Sequence, residues 1–186
     1  MSYVAVDDLA RLPAWAIVAF AVRCALRSRP RYKGPEAEAI DLAIQLATTF
    51  AQGGALAPAV AESNAKIAYA IATRTTDPSA EKAVWAAGHA AQSANAALHP
   101  KSWSIRDVAS AAHQAATTSN SATLVPDPIL VTVQAVKQRN AQRADYTALV
   151  RSSQGPSGMA LDISESGPLG PFWPAQPEGD SQTPPA

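Results

Sequence analysis

Three histidines, one cysteine and a scatter of serines are the side chains in this sequence that could act as general bases or nucleophiles near neutral pH. His89 and His113 lie in two stretches that resemble each other. Ala86-Ala87, Ala90-Ala91 and Asn95 return 25 residues later as Ala111-Ala112, Ala115-Ala116 and Asn120. On neighbouring helices the two imidazoles could face each other, as an acid–base pair or as half of a metal site. The spacing goes no further: no His-Glu-x-x-His or Glu-x-x-His pattern supplies more ligands, so polar packing or surface placement is the expectation for them and for His99. Cys24 sits among Ala, Val and Leu, where a structural thiol is expected, although Arg23 and Arg27 beside it could lower its pKa. There is no Gly-x-Ser-x-Gly turn, no phosphate-binding loop and no dinucleotide fingerprint, and Gly53-Gly54 is too little to cradle a phosphate. The expectation is a protein that is not an enzyme and needs no cofactor or metal.

Two other groups of residues suggest binding. Arg23, Arg27, Arg29, Arg31 and Lys33 fall within eleven residues, and the first 33 residues carry six basic and two acidic side chains. Cations stabilise the C-terminal end of a helix, so solvated helix ends are one reading. Docking of a protein partner or of the chain's own acidic tail is the other. A nucleic-acid site would want a wider stripe with aromatic partners, and only Tyr32 is close. The whole chain has 15 basic and 15 acidic residues and no net charge, which also disfavours nucleic acid and anionic membrane as partners. A smaller basic group, Lys137, Arg139 and Arg143, lies further on. The second group is Leu169, Phe172 and Trp173, set in Gly-Pro-Leu-Gly-Pro-Phe-Trp-Pro. Prolines limit the entropy lost on docking, so these apolar side chains are candidate anchors in a groove of this protein or of a partner.

Helices must position these groups. Of 186 residues 42 are alanine and only three are phenylalanine, a composition that favours helices packed at close range. Pro13 opens a first helix whose apolar stripe includes Trp15, Val18, Val22 and Leu26, and Pro30 to Pro35 ends it. A second runs from Pro35 with Ile40, Ala43, Ile44, Ala47 and Phe50 inward, and stops at Gly53-Gly54. Pro58 opens a third, with Val60, Ile67 and Ile71 on its apolar side. Asp77-Pro78-Ser79 starts a fourth that reaches about Leu98. Ser104 with Asp107 makes a capping arrangement for a fifth, expected to fray or stop near the polar run from Thr117 to Ser121. Asp127-Pro128 starts a sixth, to about Val150. No stretch alternates with period two, so the fold class is all-α: an antiparallel bundle or short helical solenoid of about six helices.

From residue 152 the composition changes. Residues 152–186 hold seven of the fifteen prolines, five of the nine glycines, four acidic residues and no basic one, which marks a Pro/Gly-rich acidic tail, flexible or docked on a partner, after a helical domain of residues 1–151. The run from Pro13 to Val22 is too short for the ~20 apolar residues of a bilayer crossing. With one cysteine, no disulfide framework and no basic leader, a cytoplasmic protein is expected, and the Ala-rich, Lys-poor composition suggests a bacterial one.

The run Ala83-Val-Trp-Ala-Ala-Gly-His-Ala-Ala-Gln-Ser-Ala94, followed by Val108-Ala-Ser-Ala-Ala-His-Gln-Ala-Ala116, resembles the Ala-Ala-x-His-Ala-Ala helices of small bacterial immunity proteins from polymorphic-toxin and related conflict systems. The second helix has a similar cast, the likeness spans residues 36–124, and the Pro-rich tail departs from it. The resemblance implies a non-enzymatic helical binder in bacterial conflict and carries over no functional residue.

The expected function is therefore a protein–protein interaction module (adaptor, scaffold or immunity-type binder) that uses its helical surface and its aromatic tail segment on another protein. The alternatives are an accessory subunit of a larger homo- or hetero-oligomeric assembly and an enzyme built on His89 and His113.

Overall fold

A computed structural model describes residues 4–122, 128–153 and 162–172, with the backbone alone over residues 128–131. Among the described residues all regular structure is helical: α1 (Val6–Leu9), α2 (Ala14–Ser28) with a 3-10 turn at Arg29–Arg31, α3 (Ala37–Ala51), α4 (Pro58–Ala72), α5 (Pro78–Leu98), α6 (Ile105–Ser121) and α7 (Pro128–Ser153). The starts follow from local chemistry. Proline occupies the first turn of α4, α5 and α7, where its missing N–H leaves no bond unmade. Asp77 accepts from the Ala80 N–H at 2.7 Å, and Ser104 and Asp107 form a reciprocal capping box, with the Ser104 N–H donating to Asp107 Oδ2 at 2.7 Å. Four-residue α1 is too short to show a period in the sequence. Its Leu9 is fully buried.

α2 and α5 are the axis. α2 is buried on every side from Ala16 to Ala25, the pattern of a helix enclosed by others. α5 touches α2, α3, α4 and α6, and so is not the member of a solenoid, which meets only its neighbours in the chain. The arrangement is a bundle. The seams of α5 are lined by small groups, Ala83, Ala86, Ala87, Ala90, Ala91 and Ala94, and α6, which packs on it, buries Ala109, Ala112, Ala115 and Ala116. Each methyl removes little surface from water, so this core gains through dispersion from backbones brought close rather than from bulky side chains. Gly88 carries this furthest: a Cβ there would lie 2.5 Å from the Tyr69 ring of α4.

α6 runs through its polar end and stops at Ser121. Ser119 and Asn120 are buried against α2 and α7. Ser119 donates to the Cys24 carbonyl at 2.6 Å and accepts from Gln138, while Asn120 and Gln142 exchange amide bonds at 3.2 and 3.1 Å. α7 turns a polar stripe inward, Gln138, Gln142 and Asp145 with Ala141 and Leu149, and the polar end of α6 is its complement. The tail is likewise not separate throughout. α7 continues to Ser153, and residues 162–172 return to the bundle, where Ile163 and Leu169 join the core. No helix among the described residues is long and apolar enough to cross a membrane.

Candidate functional site

Arg23 and Arg27 stand one turn apart on α2 and point at the same place on α7. Asp145, the one acidic residue of α7, receives both: Arg23 Nε donates to Oδ1 at 2.9 Å and Arg27 Nη2 lies 2.6 Å from Oδ2. All three are buried, at 0%, 5% and 1% exposure. Two cations against one carboxylate leave an excess positive charge, which needs compensation away from water. Residues 162–172 provide it as a strap of main-chain carbonyls. Arg23 Nη1 donates to the Ile163 carbonyl at 3.1 Å and the Ser164 carbonyl at 3.4 Å, and Nη2 to those of Gly170 and Pro171 at 2.9 Å each. Arg27 Nε donates to the Phe172 carbonyl at 2.6 Å. The Arg23 guanidinium also lies 4.7 Å from the centroid of the Phe172 ring. Only arginine offers several fixed N–H vectors from one buried group, and lysine could not span these acceptors.

The strap is shaped for the task. Its turns close through Gly167 N–H to the Ser164 carbonyl at 3.1 Å and Gly170 N–H to the Gly167 carbonyl at 2.9 Å. Gly170 has φ 70°, a left-handed conformation that lets successive carbonyls aim at Arg23, and a Cβ on Gly167 would meet the Asp162 carbonyl at 2.2 Å. Burial pushes the Asp145 carboxyl above its ordinary value, with Arg27 and Arg23 pulling the other way, and burial lowers Arg23 against the opposing pull of Asp145.

This geometry corrects the expected basic patch. Arg23 and Arg27 are interior residues, because α7 and the strap cover the face they occupy. Arg29 grips the α2–α3 connection, donating to both carboxylate oxygens of Asp41 at 2.5 and 2.7 Å and to the Tyr32 carbonyl at 2.7 Å. Exposed Arg31 donates to Gln134 at 3.0 Å. Exposed Lys33 lines a cleft of about 570 Å³ with Arg31, Arg74, Glu36 and Asp77, a rim of mixed charge. The five cations thus have three separate settings and form no single partner surface. Of the expected tail anchors, Leu169 is buried and Phe172 half-buried, both on this chain's own bundle. Trp173 lies outside the described residues. Phe172 itself lines a groove of about 340 Å³ with Leu26, Ile44 and Ile163 and with the polar Asp41, Gln45, Thr48, Gln52 and Ser164.

The other candidates are held apart. His89 Nδ1 pairs with the Tyr69 hydroxyl at 3.0 Å, its ring stacks near Trp85, and burial pushes its pKa down to about 4. His113 Nδ1 lies 3.0 Å from the Val4 carbonyl and His99 Nδ1 2.9 Å from the Asn95 carbonyl. His89 and His113, which could have faced each other, do not: their rings engage α4 and the N-terminal segment respectively, in the polar packing expected of them. Among the described residues no three His, Cys, Asp or Glu side chains gather as metal ligands do. Cys24 is buried and its thiol is pushed up to about 12, burial outweighing the pull of Arg27. Asp145, Gln138 and Gln142 were not singled out by the sequence, because polar residues at helical spacing read as a solvated face. The one signal was that α7 has a lone acid among four basic residues. No protein-family model, no curated protein and no solved structure matches this chain.

Proposed function

We propose that this chain is a non-enzymatic protein–protein interaction module, a cytoplasmic adaptor or immunity-type binder of a bacterial conflict system whose partner is another protein. One observation carries the reading. The buried charged side chains among the described residues, Arg23, Arg27 and Asp145, are engaged with one another and with main-chain carbonyls of residues 163–172. Charge sequestered in this way is engaged by this chain's own polypeptide, which supports recognition of polypeptide over chemistry on a small molecule. Affinity capture from the native host tests it, with the full chain as bait and with the Leu169→Ala/Phe172→Ala chain beside it. The expected outcome is a specific protein whose recovery changes severalfold between the two baits and whose binding is reproduced with purified components. Recovery of no such protein would end the proposal. The reading as an enzyme built on His89 and His113 predicts that replacing both by Gln abolishes the cellular phenotype, and we expect the phenotype to persist.

An accessory subunit of a larger assembly is the second reading, favoured by Val60 and Ile67, exposed seven residues apart on α4. Sedimentation over a range of concentrations separates the two.

A further inference from the structure

We infer that the cleft of about 570 Å³ between the α2–α3 connection and the α4–α5 connection binds a small amphiphilic anion, a phosphate monoester or carboxylate carried on a flat apolar body. Arg31, Lys33 and Arg74 receive the anionic group, and buried Tyr32, Ile71 and Ala80 form the floor on which the apolar body lies. The site is apart from the Arg23–Arg27–Asp145 cluster and independent of the interaction-module reading.

The rim is mixed in formula and positive in effect, because its two acids are already answered within the fold. Asp77 caps α5, accepting from the Ala80 N–H at 2.7 Å, so its charge faces the positive end of a 21-residue helix. Glu36 accepts the Tyr32 hydroxyl at 2.8 Å and lies 3.5 Å from Arg74. The cations are answered less fully. Lys33 is exposed and makes no hydrogen bond or ion pair among the described residues. Arg31 gives one N–H to Gln134 at 3.0 Å and has further N–H groups in the same plane. Arg74 has only the loose contact with Glu36, and its side chain is 67% exposed. An anion in the cleft completes this set. A cation would reach the acids only by displacing the bonds that start α5 and hold Tyr32.

The walls are fixed before any ligand arrives. Arg29 ties down the α2–α3 connection through Asp41, the Tyr32 carbonyl at 2.7 Å and the Ala37 carbonyl at 3.3 Å. Gly34 lies against the Tyr32 ring, where a Cβ would collide with the hydroxyl. On the other wall Thr75 donates to the Ile71 carbonyl at 2.9 Å, and Ile71 and Ala80 belong to the core. A wall already ordered costs little to bind. The volume lies within the ~300–1,000 Å³ of small-molecule sites, which join an apolar lining to a few placed polar groups. An apolar floor under a cationic rim holds a bare ion weakly and an ion with an apolar body firmly, because the body removes surface from water.

The test uses the full chain and 1-naphthyl phosphate, followed by its own fluorescence, with inorganic phosphate and 1-naphthol as the two halves of the same molecule. The expected Kd of 1-naphthyl phosphate is below about 1 mM, with either half bound about tenfold more weakly or worse. Affinity should fall as salt is raised. Lys33→Ala/Arg74→Ala should weaken binding by about tenfold or more and leave the thermal midpoint in place, since both side chains are exposed. Thr76→Trp, at an exposed lining position, fills the cleft and should abolish binding. Binding that survives both variants puts the anion elsewhere on the chain and overturns the inference. So does the absence of binding by the unaltered chain. Inorganic phosphate bound as tightly as 1-naphthyl phosphate would reduce the cleft to a patch for bare ions and overturn it as well. Tighter binding of hexaglutamate than of 1-naphthyl phosphate would give the cleft to acidic polypeptide and overturn the choice of ligand.

Discussion

The α5–α6 seam and the α2–α7 face are both buried, and they are made of opposite materials. Along the first, methyl groups meet methyl groups and almost nothing polar is enclosed apart from Ser93, which donates to the Val108 carbonyl at 3.1 Å, and the amide of Asn95. Along the second lie two guanidiniums, a carboxylate, two glutamines and a ring of carbonyls. The methyl seam tolerates its residues for their size. The polar face requires its residues for their partners. A mutation in the first is a problem of volume, and one in the second is a problem of unpaired charge.

The contrast can be broken most directly at Asp145. Asp145→Ala leaves two cations buried on α2 without their carboxylate, and should cost about 3–5 kcal/mol in urea unfolding. A loss no larger than that of an ordinary surface substitution would mean that the charges are solvated in practice and that the two regions do not differ. Ala90→Leu probes the other side. It inserts three carbon atoms into a fully buried position and should cost about 1–3 kcal/mol, read as a lowered urea midpoint with an unchanged slope. If Ala90→Leu is neutral, the seam is looser than its methyl contacts imply.

The smallest expected effect sharpens the comparison through pH. His89, in the α4–α5 seam, has its pKa lowered from 6.5 to about 4 by burial. The unfolded chain therefore binds the proton first. Stability from the neutral imidazole is fully present above pH 6.5 and is lost as pH falls from 6.5 toward 4, by about 2 kcal/mol after allowing for the ring's partial exposure. The difference in thermal midpoint between the unaltered chain and His89→Gln should shrink across that interval. A constant difference would show that the ring is already solvated.

Helix starts were legible because they are local. Pro58, Pro78 and Pro128 and the Ser104–Asp107 box announce themselves within four residues, and the alanine content declares the packing distance. The α2–α7 face was not legible, for a physical reason: the rule that helices bury apolar stripes inverts when a stripe of Gln138, Gln142 and Asp145 finds matching donors and acceptors on other elements. For Arg23 and Arg27 a helix end and docking of the chain's own tail both stayed open, because their acceptors lie 118 to 148 positions away in the chain. Leu169 and Phe172 could be picked out by residue type, while the receptor that holds them had no linear signature.

That separation along the chain has a consequence for biosynthesis. Arg23 leaves the ribosome 147 residues ahead of Gly170, to which it donates at 2.9 Å. The alanine helices in between can associate as they emerge, and contacts of short range form soonest. The two guanidiniums must wait, hydrated, until residues 163–172 have emerged, and fastening the strap is then the step that records their arrival.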